Sequence, residues 1–428
     1  MKRKFTLLFL IISVLSFEGI FMHQALAQHG WNGNADTGWY VASEDSFELT
    51  TAEQLAGLAS LVNEGNIFQG KTIILKNDII LNNINNAEAW LADPSGNEWS
   101  AIGTSTAPFK GTFDGNKHTI SGLYIKTVKN DNGLFGVIED AVIKNIGLVN
   151  FYMNAGQYNG GIAGYSENST FENVYNKGKI IVDRQAYIGG LVGKSMNSNF
   201  ECVSSHMVIS FTKNVNGIGG LIGYCENTDI RNAYTIGEIS APVIGFGSNI
   251  GGIVGYQESS KIYYTYTVCE ISGRKSAVGG ISGFLTGINN VEHDYYNTDK
   301  FDGDEFGSNK GDGFFDVEGK NSTELKKSET FERWDFENTW AISANKNEGY
   351  PYLLMEEAKN PSVVYPDTLY VKENGDDTKD GSNWNKAITL KKALEVINDK
   401  DYDPSVNYQI HIAKGDYYTE GEAFQIKK

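Results

Sequence analysis

Proline, cysteine and positive charge are all scarce in this 428-residue sequence. It has 7 prolines and 3 cysteines, which argues against a collagen-like chain and against a disulfide framework. The odd set of cysteines, Cys202, Cys225 and Cys269, is interpreted as small buried apolar residues. Acidic residues outnumber Lys and Arg by 53 to 36, which gives a formal net charge of -17. Such a surface repels polyanions, so neither nucleic acid nor an anionic membrane is expected as a partner.

Residues that bind metals or carry out catalysis are also few and scattered. No histidine pair has metal-ligand spacing, and the His-Glu-x-x-His zinc signature, the nucleophile elbow and the phosphate-binding loop are all absent. The six histidines are His23, His29, His118, His206, His293 and His411. Three acids in a Gly/Asn loop, Asp376, Asp377 and Asp380, leave a Ca²⁺ site open beside ordinary turn chemistry. We therefore assign no catalytic residue, no cofactor and no metal site from the sequence.

A long apolar run occurs only near the N-terminus. Residues 2–4 are basic, residues 5–14 are apolar, and Ala25-Leu26-Ala27 offers the small residues of a cleavage site. This pattern predicts a secretory signal peptide over residues 1–27. The alternative is an uncleaved anchor, but polar residues interrupt the run before it reaches the roughly 20 residues of a spanning helix. We expect export to the outer-membrane surface or the extracellular space, with no membrane-spanning segment in the mature chain.

Glycine is abundant, and its spacing reveals a repeat. The 48 glycines are about 11% of the 428 residues, against a usual level of about 7%. A Gly-Gly-apolar-x-Gly motif occurs five times after one degenerate copy, and its second glycines are 28, 29, 30, 32 and 28 residues apart. These second glycines are Gly133, Gly161, Gly190, Gly220, Gly252 and Gly280. A coil of this length cannot bury its own apolar side, so the spacing predicts an all-β solenoid of stacked coils.

Other columns of the repeat support the stacking. Apolar or aromatic residues recur ten and nineteen positions after the second glycine. The column at twelve positions contains Asn145, Asn173, Cys202, Asn232 and Tyr264. We expect its asparagines to form hydrogen bonds along the stack. We also expect the glycines to take the positive φ of sharp corners, and the third glycine to admit close backbone packing.

The repeats over residues 132–299 resemble the GLUG motif of bacterial surface and secreted proteins, which include parts of IgA-peptidase-type and haemagglutinin-like chains. The resemblance rests on the six motif copies. It implies a right-handed parallel β-helix-like fold and a cell-surface setting. It carries no catalytic residues that transfer to this chain.

Residues 28–48 form an N-terminal segment, and residues 49–131 predict a capping helix followed by leading β-coils. Thr50 and Glu53 read as a capping box, and apolar spacing then predicts a short helix that ends near Gly65. Strands are expected at 72–75, 79–81 and 119–125. The helix is expected to plug the first coil, because an open solenoid end exposes core and strand edges.

Residues 300–355 form a closing aromatic module, and residues 356–366 form a linker. The clustered aromatics of the module are interpreted as a cap on the last coil, and a sugar-stacking platform is the alternative. They are Phe331, Trp334, Phe336, Trp340, Tyr350 and Tyr352.

Residues 367–428 resemble the N-terminal entry of pectate-lyase-like right-handed β-helices. The resemblance rests on a strand at 369–371, a Gly/Asp loop, a helical stretch at 390–397 and a strand at 408–412. The sequence stops at Lys428 after about one rung, so we hypothesise that the chain is a truncated version of a longer protein.

The function predicted from these features is that of an exported bacterial β-solenoid, adhesin-like or ligand-presenting and non-catalytic. The expected partner is an extracellular glycan or a host or matrix protein. Tyr175, Tyr234 and Tyr266 are candidate binding aromatics, or else a structural stack. Two alternatives stay open: an accessory part of a truncated polysaccharide lyase or hydrolase, and a purely structural spacer.

Overall fold

The computed structural model describes residues 30–82, 84, 87–126, 129–154, 156–182, 187–211, 216–240, 249–272, 278–357, 368–375, 383–390, 393, 409–413, 415–419 and 422–426. In these residues the chain is a right-handed parallel β-helix-like solenoid, as the sequence predicts. The predicted signal peptide lies outside the described residues. No helix in the described part is long and apolar enough to cross a membrane.

The N-terminal part contains two α-helices together with six short strands. In chain order these elements are β1 (Ser46–Leu49), α1 (Ala52–Asn63), β2 (Thr72–Leu75), β3 (Ile79–Ile80), α2 (Ala87–Ala92), β4 (Thr112–Asp114), β5 (Thr119–Ser121) and β6 (Tyr124–Ile125). Strands β2 and β3 lie where the sequence predicts them, and Gly122, with φ +75°, divides the predicted strand 119–125 into β5 and β6. Strands β1 and β4 were not predicted.

The repeats supply three strands to most coils. They are β7 (Phe135–Glu139), β8 (Val142–Asn154), β9 (Tyr158–Asn159), β10 (Ala163–Glu167), β11 (Thr170–Val182), β12 (Tyr187–Gly189), β13 (Val192–Met196), β14 (Asn199–Phe211), β15 (Gly217–Gly219), β16 (Ile222–Glu226), β17 (Asp229–Ser240), β18 (Asn249–Gly251), β19 (Val254–Glu258), β20 (Lys261–Ile271), β21 (Val278–Gly279), β22 (Ser282–Thr286) and β23 (Ile288–Asn297).

Two strands past residue 299 extend the stack. They are β24 (Phe306–Asn309) and β25 (Asp312–Lys320), which pair in parallel with β22 and β23. The remaining strands are β26 (Trp340–Ala341), β27 (Tyr352–Leu353), β28 (Thr368–Val371), β29 (Gln409–Ile412), β30 (Gly415–Thr419) and β31 (Glu422–Ile426). Short 3₁₀ helices cover Ser328–Thr330, Asn347–Gly349, Leu354–Glu357 and Trp384–Lys386.

Three parallel sheets form the faces of the solenoid. The long sheet has 13 strands and runs along β1-β2-β4-β8-β11-β14-β17-β20-β23-β25, with β3, β5 and β6 beside that path. The motif sheet has seven strands, β7, β10, β13, β16, β19, β22 and β24, and the short sheet has five, β9, β12, β15, β18 and β21. Successive coils pair in register, so the apolar columns of the sequence become one continuous buried core.

The column at twelve positions is a corner in left-handed backbone conformation. Its φ values are +53° at Asn145, +56° at Asn173, +54° at Cys202, +50° at Asn232 and +58° at Tyr264. Asn tolerates this conformation better than most residues, which explains its recurrence. The predicted ladder forms where two asparagines are adjacent, since Asn173 Nδ2 donates to Asn145 Oδ1 at 3.1 Å. Cys202 interrupts it, and Asn232 Nδ2 donates to Glu201 Oε1 at 2.6 Å instead.

The motif glycines are not at these corners, which corrects the prediction of positive φ. None of them has a φ in the left-handed region; their role is close packing between coils. A Cβ at Gly220 would lie 2.1 Å from the Gly252 carbonyl oxygen, and one at Gly193 would lie 2.2 Å from the Asn159 nitrogen. Close packing by the third glycine, as at Gly193, was expected, and the structure extends it to the whole motif.

Helix α1 has its N-cap one residue later than predicted. Thr51, not Thr50, caps the helix: its Oγ1 accepts from Gln54 N at 3.3 Å. Gln54, rather than Glu53, then stands at the third helical position, and its Oε1 accepts from Thr50 N at 2.8 Å. The helix links β1 to β2 and buries Leu55 and Leu58 in the main core, as expected for a helix that closes the first coil.

The closing segment, residues 325–353, does not cap the end of the last coil as predicted. It packs along the outer face of the long sheet, where it covers residues from several coils. Its buried side chains are Leu325, Phe331, Trp334, Trp340, Tyr350 and Leu353, and they form one cluster with Tyr234, Tyr266 and Tyr295. The physical reason is that this face carries large aromatic side chains, and burying them removes apolar surface from water.

The C-terminal strands agree in part with the predicted β-helix entry. β28 pairs in parallel with β29, and a separate small core contains Leu369, Val371 and Ile388. The strands β30 and β31 instead form an antiparallel pair. Most of the predicted helical stretch at 390–397 lies outside the described residues.

Candidate functional site

The outer face of the motif sheet carries an aromatic residue in most coils. Four positions after the second glycine of each motif stand Tyr165, Lys194, Tyr224, Tyr256 and Phe284, and the register pairs them across β10, β13, β16, β19 and β22. The alternate positions of these strands point into the core, so this column faces outward. Each of the five side chains is half-buried.

Two tyrosines of the short sheet connect the aromatic residues on either side of Lys194. Tyr158 and Tyr187 pair across β9 and β12, and their rings stack at 6.1 Å between centroids. Tyr158 contacts Tyr165 at 6.2 Å, and Tyr187 contacts Tyr224 at 5.3 Å. The aromatic ribbon, as we call this row, therefore runs without a break through Tyr165, Tyr158, Tyr187, Tyr224, Tyr256 and Phe284.

Stacking along the solenoid axis decides which part of each ring is presented. Tyr224 and Tyr256 stack at 5.1 Å with planes 26° apart, and Tyr256 and Phe284 stack at 4.8 Å with planes 29° apart. Rings stacked on each other use their faces for one another, and their edges and hydroxyls face outward. Ring edges carry the positive end of the aromatic quadrupole, so they attract oxygen atoms of a ligand.

A row of carboxylates borders the ribbon. Glu167, Glu226 and Glu258 stand two residues after Tyr165, Tyr224 and Tyr256. Glu226 pairs with Glu258, and Met196 lies between Glu167 and Glu226 in the register. The Tyr165 hydroxyl lies 2.9 Å from Glu167 Oε2 and 3.2 Å from Met196 Sδ, and the Tyr224 hydroxyl lies 3.1 Å from Glu226 Oε2 and 2.8 Å from Glu258 Oε2. Partial burial, and then these carboxylates, raise the pKa of Tyr165 and of Tyr224. Both phenols stay protonated donors at neutral pH.

Lys194 places a positive charge within the ribbon. Its Nζ lies 4.9 Å from the ring centroid of Tyr224, 5.7 Å from that of Tyr158 and 5.8 Å from that of Tyr165. An ammonium over a ring face is attracted by the π-electrons, by about 0.5–1 kcal/mol at an exposed site. Aromatic edges, hydroxyls, carboxylates and one ammonium thus form a mixed surface that can both accept and donate hydrogen bonds.

The tyrosines singled out from the sequence belong to a different face. Tyr234 and Tyr266 stack at 5.2 Å with planes 7° apart, but both are fully buried beneath the closing segment. The Tyr234 hydroxyl donates to Glu356 Oε2 at 2.7 Å, and the Tyr266 hydroxyl donates to the Pro351 carbonyl. Tyr175 pairs with Ser204 in the adjacent coils of the same row. Tyr234 and Tyr266 form a structural stack, whereas Ser204 separates the half-buried Tyr175 from them. The aromatics of the closing segment, apart from the half-buried Phe336, are also buried, which disfavours a sugar platform there.

Burial shifts the ionisable groups of this covered face. Burial raises the pKa of Glu356 to about 7, against the lowering effect of hydrogen bonds from Tyr234 and Ser204. Burial, with a smaller contribution from Lys177, lowers the pKa of His206 to about 4. His206 Nε2 lies 3.0 Å from the Tyr234 hydroxyl. The cluster is internal, and the side chain of Tyr234 at its centre has no exposure to solvent.

The other residues considered from the sequence are not brought together. Asp376, Asp377 and Asp380, with His23 and His29, lie outside the described residues. The described histidines have separate partners: Asp78 for His118, Tyr234 for His206, Asp316 for His293 and the Tyr370 ring for His411. Within the part of the chain that the structure describes, no three His, Cys, Asp or Glu residues are placed to hold a metal ion. Cys225 and Cys269 are buried, Cys202 is partly buried, and all three thiols are free.

The sequence contained a signal for the aromatic ribbon that the prediction did not use. The ribbon and its carboxylates are the columns four and six positions after the second glycine, so the full motif reads Gly-Gly-apolar-x-Gly-aromatic-x-Glu in three copies. A second left-handed corner stands seven positions after it, at Asp140, Asn168, Asn197, Asn227, Ser259 and Gly287. The predicted core columns, ten and nineteen positions after the second glycine, are those in which apolar residues recur.

Comparisons with known proteins find one relative over part of the chain and two solved structures of low similarity. No family model matches the chain, so the resemblance to GLUG repeats is not confirmed. A protein of Evansella cellulosilytica, provisionally named a Gly-rich membrane protein, is 34% identical over 127 residues. The match covers 28% of this chain and 13% of that protein, so the chain spans a small part of its relative.

Two solved structures match the chain at low similarity. One, from Bacteroides ovatus, is provisionally named an immunoglobulin A1 protease; it is 18% identical, with a TM-score of 0.49, over 72% of this chain and 92% of that one. The other is named IgA1 Protease; it is 15% identical, with a TM-score of 0.40, over 63% of this chain and 21% of that one. At this level of similarity neither structure bears on the activity of this chain.

Proposed function

We propose that the chain is an exported bacterial surface protein whose solenoid binds an extracellular glycan along the aromatic ribbon. The observation that carries this proposal is the contrast between two aromatic rows. One is sealed by the closing segment, whereas the ribbon stays half-exposed along five successive coils. Burying these rings would have stabilised the fold, so their exposure is best explained by a ligand.

The chemistry of the ribbon suits a sugar polymer. Glycan hydroxyls both donate and accept hydrogen bonds, and the ribbon offers acceptors at Glu167, Glu226 and Glu258 and donors at the hydroxyls of Tyr187 and Tyr256. Successive coils are about 4.8 Å apart, so these groups recur at a regular interval along an extended face. A polymer with a repeating unit can contact several coils at once, and weak contacts then add by multivalency.

The proposal includes a non-catalytic role for this part of the chain. Two strongly shifted groups, Glu356 and His206, take part in the covered contact between the sheet and residues 351–356, which supports a structural role for them. Incubation with each bound polysaccharide and with immunoglobulin A, followed by product analysis, tests this part. Cleavage products that persist after repurification would contradict it.

Glycan binding is tested on the secreted chain with a panel of soluble polysaccharides, by affinity electrophoresis and calorimetry. The double variant Tyr224→Ala/Tyr256→Ala removes two central rings of the ribbon. We expect its affinity for a bound polysaccharide to fall at least about tenfold. The matched control is Tyr263→Ala, a half-buried tyrosine on the long sheet that contacts Arg231 at 4.6 Å. Equal loss in both variants, or binding only to matrix proteins, would overturn the proposal.

The surface location needs its own measurement. Antibody against the repeats should label intact, unpermeabilised producing cells or detect the protein in their medium. Residues 1–27 should be missing from the N-terminus of that protein. Retention of the repeats inside the cell would contradict export without bearing on the ribbon.

A further inference from the structure

A cavity of about 430 Å³ opens between the end of α1, the segment that follows α2, and the first repeat. Its volume lies in the range of pockets that hold small ligands, about 300–1,000 Å³. The lining is mixed: Trp99, Ala101 and Ile125 contribute apolar groups, and the polar groups come from Asn63, Glu98, Ser100, Thr104, Ser105, Lys129, Asn130 and Asp131. Nothing in the glycan proposal uses this cavity, because the aromatic ribbon begins one coil further on.

The walls of the cavity are held in place by the surrounding fold. Trp99 is 4% exposed, and its Nε1 donates to the Leu134 carbonyl at 3.0 Å. Asn63 Nδ2 donates to the Ala101 carbonyl at 3.0 Å, and Asn63 Oδ1 accepts from Gly103 N at 2.9 Å. A site with fixed walls loses little conformational entropy when a ligand binds.

Asp131 is the unusual residue of this lining. It has a φ of +56°, a conformation that costs energy in a non-glycine residue. Two glycines pack closely against the Asp131 backbone. A Cβ at Gly164 would lie 2.4 Å from Asp131 Cα, and one at Gly136 would lie 2.8 Å from the Asp131 carbonyl oxygen. Among the described residues its carboxylate has neither a hydrogen-bond donor nor a salt-bridge partner. Burial raises the pKa of Asp131, with no compensating contact.

A partly buried carboxylate without a donor is costly, so a ligand that supplies donors gains affinity there. Lys129 also lines the cavity, and its charge opposes the attraction of a small cation to the two carboxylates there, Glu98 and Asp131. The hydroxyls of Ser100 and Ser105 and the amide of Asn130 instead suit a neutral molecule with several hydroxyl groups. These groups match the alternating donors and acceptors of one sugar ring.

We propose that this cavity is a binding site for a single neutral sugar residue, with Asp131 accepting hydrogen bonds from its hydroxyls. The site lies beside the start of the ribbon, because Asn132 N donates to the Tyr158 carbonyl at 3.0 Å. The sugar is either a free monosaccharide or the end residue of a chain. The proposal does not require the ribbon to bind anything.

The test is calorimetry and saturation-transfer NMR on the full chain with neutral hexoses, deoxyhexoses and N-acetylhexosamines, and with short oligosaccharides of each sugar that binds. Asp131→Asn keeps the size and the left-handed preference of the residue but removes the charged acceptor. We expect binding about tenfold weaker. Asp140→Asn is the matched control, another acid at positive φ (+51°) outside the cavity, and should bind as the wild type does.

Two further arms separate this site from the ribbon and identify the source of the sugar. Ser105→Phe places a ring at an exposed position of the lining and should abolish monosaccharide binding, whereas Tyr224→Ala/Tyr256→Ala should leave it unchanged. Tighter binding of oligosaccharides than of monosaccharides, lost in Ser105→Phe, would identify a chain end. Failure of every sugar in the panel to bind, wild-type affinity in folded Asp131→Asn, or binding of a polyamine in place of sugars would overturn the proposal.

Discussion

The solenoid carries two aromatic rows that the same repeat builds on two of its faces, and they have opposite fates. On the long sheet, Tyr234 and Tyr266 stack at 5.2 Å; on the motif sheet, Tyr224 and Tyr256 stack at 5.1 Å. The first pair is sealed under Trp334, Trp340 and their neighbours, and the second stays at the surface. Stacking follows from the one-residue-per-coil spacing, so the spacing by itself does not distinguish a core from a binding surface. The cover does.

The hydroxyl partners show the same contrast. In the covered row they belong to the polypeptide that lies on top: Glu356 for Tyr234 and the Pro351 carbonyl for Tyr266. In the ribbon, the partners are Glu167, Glu226 and Glu258 on the same face of the same sheet. The covered hydroxyls bind the polypeptide that lies over the long sheet. The ribbon hydroxyls of Tyr165 and Tyr224 instead bind side chains of the motif sheet itself.

The largest effect that tests this comparison is on stability. Trp340 is fully buried, and its Nε1 donates to Asn232 Oδ1 at 3.1 Å. Trp340→Ala should lower the free energy of unfolding by about 3–5 kcal/mol, because it leaves a cavity and an unpaired amide oxygen. Tyr256→Ala, its counterpart in the ribbon, should cost only about 1 kcal/mol. Urea denaturation measures the free energy of unfolding of both variants, provided that its dependence on urea concentration is the same in each. Similar losses of stability would mean that the two rows are equally structural.

The second effect is on pH dependence and should be confined to the covered row. The pKa of Glu356 is raised by folding, from 4.5 to about 7, so the folded state binds more protons in that window and stability falls as pH rises through it. The pKa of His206 is lowered by folding, from 6.5 to about 4, so its contribution is lost as pH falls below 6.5. The two contributions oppose each other between pH 4.5 and 6.5.

Glu356→Gln separates these contributions. It should stabilise the protein by about 1–2 kcal/mol at pH 8, since it removes a carboxylate that must ionise in a partly buried site, and by much less at pH 4.5. Denaturation midpoints at the two pH values measure the change. Polysaccharide binding by the ribbon should not change with this substitution. An equal effect of Glu356→Gln at both pH values would contradict the assignment.

The smallest effect concerns the only non-aromatic residue in the central column of the ribbon. Lys194→Gln removes the ammonium from three rings and should cost about 0.5–1 kcal/mol of stability. Lys194→Arg keeps the cation and serves as its control. Thermal denaturation at low and high salt should show the loss in the glutamine variant alone. Loss in both variants would indicate packing of the aliphatic stem instead.

Several elements were predictable because they depend on local chemistry or on the repeat. The solenoid, β2, the end of α1 and the corner at Asn145 and Asn173 all follow from spacing, apolar alternation or the conformational preference of Asn. The N-cap was placed one residue early because Thr50 and Thr51 are both competent caps. Only the position of Gln54 on the folded helix selects Thr51.

The roles of the motif glycines and of the tyrosines were not predictable in the same way. Glycine fits a positive-φ corner and a close backbone contact equally well, and the distance between neighbouring coils selects the second role. Tyr234 and Tyr224 each recur with a neighbour one coil away, so both columns predict a stack. The Asp131 cavity was not predictable either, since its lining comes from three separate stretches of the chain.

The sequence by itself determined the solenoid, because a repeat with a constant period and constant apolar columns can bury its surface only by stacking. It also determined where the coils turn, through residues that tolerate left-handed backbone. The tertiary structure alone decided which aromatic row is core and which is surface. That choice depends on where residues 325–353 fold back, and they pack on the face whose tyrosines they can both cover and hydrogen-bond.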